Sequence, residues 1–402
     1  MKLFQKGELK LLWPFYLDSL ISPMFFLIHA FYIIYFINLG FSMFQIGILI
    51  SMMPLFAMIF EIPTGAIADI YGRKFSVLLS TIIQGLAIFS IFFSTNFYII
   101  AALLAITGFG VTFGSGAYEA WATDLINKDK KSLLHNFFAK RTSFDSFGLV
   151  VSGIIGAFLV KEFGLAIIWP IAGISYFVSF LILAFGKEHF TKQKTTLKKS
   201  FKKINTQSIK SISYAKNHPV LFYFLIASII FIIAGIFGAE ISWVPLLQDL
   251  GLPEHAFGYL WSAMAAIGIV APFLASLFLK KGKEKRFLMV AMALFALVLL
   301  PIIFVNNLAF AFILLFLATF MTYISRPVER TYFHKFIPSK LRATIGSVES
   351  MILCLAAIIA IPLAGLSVDL LGAKSTIFLS AILVIPAIIV FSRIRENKPQ
   401  PS

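Results

Sequence analysis

The residues that could do chemistry in this sequence are ionisable groups set inside long apolar runs. Asp18 lies seven residues past Leu11, about 10 Å along a helix at 1.5 Å per residue, and Ser22, Phe25 and His29 share its face at spacings of 4, 7 and 11. A carboxyl withdrawn from water there is suited either to alternating between a proton and a substrate or to being satisfied by helix packing. His29, a lone histidine on a helix, suits a structural hydrogen bonder more often than a proton relay. Glu61 stands two residues before Pro63 as a second candidate proton site, and Arg141 and Asp145 are spaced as an i,i+4 ion pair. Thr112, Ser115 and Glu119 fall on one helical face. Glu240 and Trp243, just before Pro245, form either an aromatic, acidic vestibule for a cation or an outer-interface tryptophan anchor. Thr322, Arg326, Glu329 and Arg330 recur at helical spacing, with Arg326 and Glu329 an i,i+3 pair and Arg330 left seeking Glu119 or Glu349. Such a bridge is a gate if it breaks during function, and a static pair that permits insertion if it does not.

The elements that must hold these groups follow from composition. Of 402 residues, 59% are hydrophobic and 13% charged, and there are 46 Phe. A soluble domain could not hide that much apolar surface. Runs of about 20 mostly apolar residues are needed to cross about 30 Å of hydrocarbon. Twelve such runs are expected, near 11–37, 45–69, 75–94, 97–124, 144–163, 165–186, 219–247, 256–280, 286–305, 308–334, 343–368 and 373–393. The first is too long, and too rich in Pro14, Asp18, Pro23 and His29, for a cleaved signal peptide, so it is expected to remain as an anchor. The formal net charge of +16 would point to nucleic acid in a soluble protein. Here 32 of the 34 Lys and Arg fall in the two termini and the even-numbered connections, and only Lys161 and Lys374 on the opposite side. By the positive-inside bias both termini are expected in the cytosol, and no nucleic-acid partner is implied. The single cysteine, Cys354, excludes a disulfide framework. No Walker loop, His/Cys ligand cluster or nucleophile arrangement is present, so no enzyme, metal or cofactor is expected.

Two stretches repeat. Asn38-Leu39-Gly40-Phe41 with Ile46-Gly47 matches Asp249-Leu250-Gly251-Leu252 with Phe257-Gly258 at an offset of 211, and Val160 to Gly164 matches Val368 to Gly372 at 208. Both matches join equivalent spans of two six-span halves, 1–186 and 218–402. The connection 187–217 carries nine Lys and one acid, Glu188, with Leu197, Phe201, Ile204, Ser208 and Ile212 at helix-like spacing. It is either an interfacial amphipathic helix over anionic lipid or a solvated basic linker.

Between the second and third spans the chain reads Glu61-Ile-Pro-Thr-Gly65-Ala-Ile-Ala-Asp69-Ile-Tyr-Gly72-Arg73-Lys74. This resembles the signature loop of the major facilitator superfamily, G-x-x-x-D-[RK]-x-G-R-[RK], and the resemblance in topology and duplication covers the whole chain. Gly65 would permit close helix approach and Gly72 a sharp reversal, with Arg73 and Lys74 in the headgroup layer. The resemblance implies that Asp69 helps latch the halves, near Arg342, Ala343 and Thr344. Ile70 replaces the usual basic residue, and the second-half counterpart, Ser276 to Lys283, has no aspartate, so the implied latch is one-sided. Gly148, Ser152, Gly153, Gly156 and Ala157 look like a worn antiporter motif of drug-exporting members, G-x-x-x-G-P-x-x-G-G, or else a helix-packing stripe. The arginine that many proton-coupled members carry in span 4 is missing from 97–124.

The expected fold is therefore an all-α membrane protein with 12 transmembrane helices in two pseudo-symmetric halves, a drug/proton-antiporter-like member whose spans 1, 4, 7 and 10 line a cavity. The buried candidates tilt toward acids, Asp18, Glu61, Glu119, Asp145, Glu240, Glu329 and Glu349 against Arg141, Arg326 and Arg330. This favours proton-coupled efflux of small amphipathic or cationic compounds. Uptake of a nutrient by symport or facilitated diffusion is the alternative within transport, and a channel or non-transporting membrane sensor the alternative outside it. The implied partners are a small-molecule substrate, protons and the lipid bilayer, and the chain is expected as a monomer in a bacterial or archaeal plasma membrane.

Overall fold

A computed structural model describes residues 4–5, 7–129, 133–189, 218–279, 282–337 and 341–394. The amphipathic reading of the central connection falls on 190–217, outside the described residues, as do the Asp69 side chain and those of Ala343 and Thr344 on which the latch depends. The first half folds as α1 (Glu8–Met24), α2 (Ile28–Asn38), α3 (Met43–Tyr71), α4 (Arg73–Ile91), α5 (Phe97–Gly114), α6 (Ala117–Asp129), α7 (Leu134–Phe163) and α8 (Ile168–Ala184). The second comprises α9 (Pro219–Phe237), α10 (Glu240–Asp249), α11 (Ala256–Phe278), α12 (Glu284–Leu299), α13 (Leu308–Lys335), α14 (Arg342–Leu371) and α15 (Ala373–Ser392). Twelve stretches of these helices are long and apolar enough to cross a membrane, and the described residues contain no strand. Side chains such as Phe273, Leu277 and Phe304 stand more than 70% exposed, an outer surface suited to lipid rather than water.

Three spans are interrupted. Span 1 breaks at 25–27, after Pro23, where Phe25 and Phe26 turn tightly onto the carbonyls of Ser22 and Pro23. Span 7 breaks at Gly238 and Ala239, which is extended, and span 4 at Ser115 and Gly116, with Gly116 at φ 68°. The broken ends of span 7 expose carbonyls that must find donors inside lipid. Ser242 donates to Phe237 at 2.8 Å and the indole of Trp243 to Gly238 at 3.0 Å.

Helix ends elsewhere show why the repeats exist. Gly40 and Gly251 have φ of 82° and 87°, and Gly164 and Gly372 of 80° and 82°. A side chain at any of the four would meet no described atom within 4 Å, so backbone conformation rather than space selects glycine at both copies of both turns. Asp369, beside the second of these turns, accepts from the backbone N–H groups of Met43 and Phe44 at 2.8 Å each and caps the start of α3.

The chain forms two compact units. Unit 1 comprises 1–39, 52–201 and 253–265, and unit 2 comprises 40–51, 202–252 and 266–402. In unit 1, α4 packs on α5 and α8, and α1 on α7 and α8, around buried Phe15 and Trp121, whose ring centroids lie 4.7 Å apart. The glycine stripe of α7 is a packing surface there: a Cβ on Gly153 would strike the Gly258 carbonyl and the Ser262 hydroxyl of α11, and one on Gly156 would lie 2.6 Å from the Phe31 ring. In unit 2, α9 packs on α14 and α15, and α12 on α13 and α15, with Phe224 at 5.0 Å from Phe333 and 6.0 Å from Phe391 in the core.

Candidate functional site

The signature loop is built from its own residues. Gly72, at φ 104°, starts α4, and Glu188 occupies the space a side chain there would need while accepting from the Lys74 backbone N–H at 2.9 Å. Arg73 pairs with Asp124 and donates to the Ala120 carbonyl at 2.7 Å; Lys74 donates to the carbonyls of Ala184 and Gly186 at 2.7 and 2.8 Å. Arg73 and Lys74 thus clamp helix ends together. Gly65 is exposed, with no described atom within 4 Å of an added Cβ, so no close helix approach is made to it among the described residues.

Within unit 1, a cavity of about 550 Å³ opens among spans 1, 3, 4, 5, 6 and 8. Asp18 lines it and is buried at 8% exposure. Its Oδ1 accepts from Ser179 at 2.5 Å and from Ser22 at 2.8 Å, and its Oδ2 accepts from Tyr118 at 2.9 Å. No described Lys, Arg or His comes within ion-pair distance of it. A carboxyl ringed by hydroxyls is satisfied both charged and neutral, because each hydroxyl turns from donor to acceptor by rotating. An ammonium or guanidinium partner would hold it in the charged form alone.

The nearest cation stands one side chain away. The Arg141 guanidinium lies over the Tyr118 ring, 4.4 Å from its centroid, with Nε 3.7 Å from Asp145 and Nη1 3.4 Å from Glu119. Asp18, Tyr118, Arg141 and Asp145 therefore form one chain of contacts along the cavity. His29 lines the same space, stacked on Trp261 at 5.4 Å and 14°, with Phe26 edge-on at 5.0 Å and Tyr176 beyond it. Polar groups from spans 3 and 6, Ser80, Thr81, Gln84, Ser175 and Ser179, complete the lining. One end of the cavity is acidic and the other aromatic. Among the described residues there is no group of three His, Cys, Asp or Glu able to hold a metal.

The sequence matches the family model of the Major Facilitator Superfamily over residues 17–358 and again over 241–402. The chain belongs to the major facilitator superfamily. Within it, the chain is 24% identical to the MFS-type transporter YxaM of Bacillus subtilis (strain 168) over 382 residues, 91% of this chain and 92% of that one. The crystal structure of nucleoside transporter NupG superposes with a TM-score of 0.76 at 13% identity, covering 96% of this chain and 99% of that one. That of a D-xylose-proton symporter gives 0.73 at 11%, covering 95% and 98%. At these identities the solved structures are alike in fold alone. This protein is an integral multi-pass transporter of the superfamily.

The second half of this superfamily member carries its own charge cluster in unit 2. Arg330 donates to Glu349 at 3.0 Å, with Glu349 buried and Arg330 largely exposed. Arg326 lies over the Tyr323 ring at 4.5 Å, and Glu329 is placed beside Ser228. Applying the repeat offsets, Glu119 falls on Arg330 (211) and Arg141 on Glu349 (208). Each half thus holds an ion pair between its fourth and fifth spans, with the signs exchanged. Of the acids considered for Arg330, the structure brings Glu349 to it.

Several sequence-derived candidates are placed elsewhere. Thr112 donates back to the Phe109 carbonyl at 2.6 Å and Thr322 to Ala318 at 3.0 Å, each spent on its own helix. Ser115 donates to Glu61 at 2.8 Å across the span 4 break, which also takes Glu119 off the face shared with Thr112. Trp243 is buried at 3% exposure and its indole is spent on the span 7 break. Sequence reasoning missed Tyr118, Ser179, Gln84 and Trp261 because contacts between spans leave no period along the chain. The spacing of Ser76, Ser80 and Gln84 was the available signal, a polar stripe on an otherwise apolar span.

Proposed function

We propose that this transporter couples protons to the export of small cationic or amphipathic compounds, with a proton and the substrate competing for the Asp18 carboxyl while Asp145, paired with Arg141, adds negative field. The observation that carries this reading is the lining of the 550 Å³ cavity, in which two carboxylates face one guanidinium and the opposite wall is aromatic. An organic cation gains from both ends of such a space, through charge at Asp18 and Asp145 and through the faces of Tyr176 and Trp261. The hydroxyl ring around Asp18 lets the site discharge its cation by taking up a proton without moving backbone. Exchange of one proton for one monovalent cation moves no net charge, so the pH difference drives it, whereas with a neutral substrate a proton entering down 100 mV supplies about 2.3 kcal/mol for each turnover.

Transport proceeds by alternating access of the two six-helix halves, 1–186 and 218–402, in a monomer with both termini in the cytosol of a bacterial or archaeal cell. Glu61 and Glu119 contribute field rather than direct coupling, since neither lines the cavity that holds Asp18. The test is uptake of a lipophilic cation into proteoliposomes under an imposed pH gradient. Wild type should accumulate the cation several-fold over empty vesicles, and Asp18→Asn with Asp145→Asn should not. Unchanged accumulation in the double variant would sink the proposed coupling.

A second reading, uptake of an anionic metabolite by symport, is favoured by Arg326 and Arg330, one turn apart and both exposed on α13. Accumulation of an organic anion rather than a cation in the same vesicles, lost on Arg326→Gln, would replace the first reading with this one.

A further inference from the structure

Outside the cavity, the most distinctive surface of unit 2 surrounds the first turns of α12. On one side a groove of about 510 Å³ runs between α12 and α13 with the end of α11, its floor formed by Phe287, Val290, Leu294 and Met321. On the other side a second groove of about 450 Å³ runs between α12 and α15, floored by Met289, Ala293 and Ile388. Arg286 and Val290 line both, and Lys283 stands at the mouth of the first. Two apolar channels therefore straddle one helix and meet at one cationic point.

Among the described residues, the charges at that point are uncommitted to acids. Lys283 and Arg286 are exposed, and no described carboxylate reaches ion-pair distance of either. Their neighbours are already occupied: Glu284 pairs with Lys335 at 3.7 Å, and Lys285 donates to the carbonyls of Ser392 and Ile394 at 2.8 and 2.6 Å. Leu294, the far end of the first groove, lies eleven residues past Lys283, about 16 Å along the helix. That is half of the roughly 30 Å hydrocarbon thickness, the depth of one leaflet.

We propose that this surface is a specific site for an anionic diacyl phospholipid, its phosphate held by Lys283 and Arg286 and one acyl chain lying in each groove. The twin grooves fit two chains hung from one headgroup, the spacing fits one leaflet, and the two cations, which meet no described carboxylate, select an anionic headgroup over a zwitterionic one. A single fatty acid would leave one groove empty, and a free phosphate would use neither.

The full-length chain in nanodiscs of equal phosphatidylcholine and phosphatidylglycerol, analysed by native mass spectrometry, should retain one phosphatidylglycerol in preference to phosphatidylcholine. Lys283→Gln with Arg286→Gln should lower that retention roughly 25-fold, two surface cations at about 1 kcal/mol each. Val290→Trp, which plugs both grooves and leaves both cations in place, should lower it as well, and it decides the matter if the charge variant does not fold. Soluble glycerol phosphate at millimolar concentration should not displace the lipid. Equal retention of both lipids, unchanged retention in either variant, displacement by glycerol phosphate, or a second copy of the chain bound in place of lipid would each overturn the site.

Discussion

The close approach of α7 to α11 in unit 1 is open to a single-atom test, Gly153→Ala. A Cβ there would strike the Gly258 carbonyl oxygen and the Ser262 hydroxyl, and would lie 3.0 Å from the Ser262 backbone nitrogen. Two of these three atoms are backbone, so the helices must part rather than one side chain turn aside. Overpacking of this kind costs about 1–3 kcal/mol. Parting the helices also breaks the Ser262 hydroxyl bond to the Val150 carbonyl, 2.6 Å long, worth about 0.5–1.5 kcal/mol. The expected loss is therefore about 1.5–4.5 kcal/mol. Ser262→Ala alone removes only the hydrogen bond, and in the Gly153→Ala background it should cost almost nothing, since the bond is already gone. Unfolding free energies of the four proteins by SDS titration in mixed micelles would give the cycle. A Gly153→Ala protein within about 0.5 kcal/mol of wild type, the range of ordinary surface substitutions, would refute the packing role assigned to the stripe.

Three further outcomes are expected. Lys140→Met leaves the wholly buried Glu8, which accepts from Lys140 at 2.5 Å and Tyr16 at 2.6 Å, as an uncompensated charge and should cost about 3–5 kcal/mol, much of it recovered in Lys140→Met with Glu8→Gln; the same SDS titration reads both. Asp369→Ala removes the cap of α3 and should cost about 1 kcal/mol, with Asp369→Asn milder because its amide oxygen still accepts one N–H, and hydrogen exchange at Met43 and Phe44 should rise in the alanine protein. Arg330→Met should destabilise by about 1–2 kcal/mol, discounted because Arg330 is largely exposed, whereas Arg330→Glu with Glu349→Arg, which restores the polarity of the first half's pair, should melt near wild type.

The twelve spans were legible because bilayer thickness imposes length and apolarity on each one separately, a constraint read residue by residue. The duplication was legible for a local reason too, since four turns needed glycine at positive φ. What hydropathy does not record is where a span breaks. Pro23 hinted at the interruption of span 1, but the breaks at Ser115 and Gly238 reshuffled faces that an unbroken helix would have kept together, parting Glu119 from Thr112 and turning Trp243 onto the Gly238 carbonyl. Asp18 was recognisable from its depth and from Ser22 one turn on. Its other two partners, Tyr118 and Ser179, come from distant spans and carry no sequence mark. Glu8 escaped notice because it precedes the first apolar run, although α1 begins on it. The partner of Arg330 was within reach, since the repeat offsets place Glu349 where the first half has Arg141.

The measurement closest to the central claim is proton movement itself. With a pH-sensitive dye trapped in proteoliposomes, adding a lipophilic cation outside should drive protons out of wild-type vesicles as the cation enters. Asp18→Asn should abolish that signal while unlabelled cation inside still exchanges for labelled cation outside. Proton movement that survives in Asp18→Asn at the wild-type rate would contradict the assignment of coupling to the hydroxyl-ringed carboxyl.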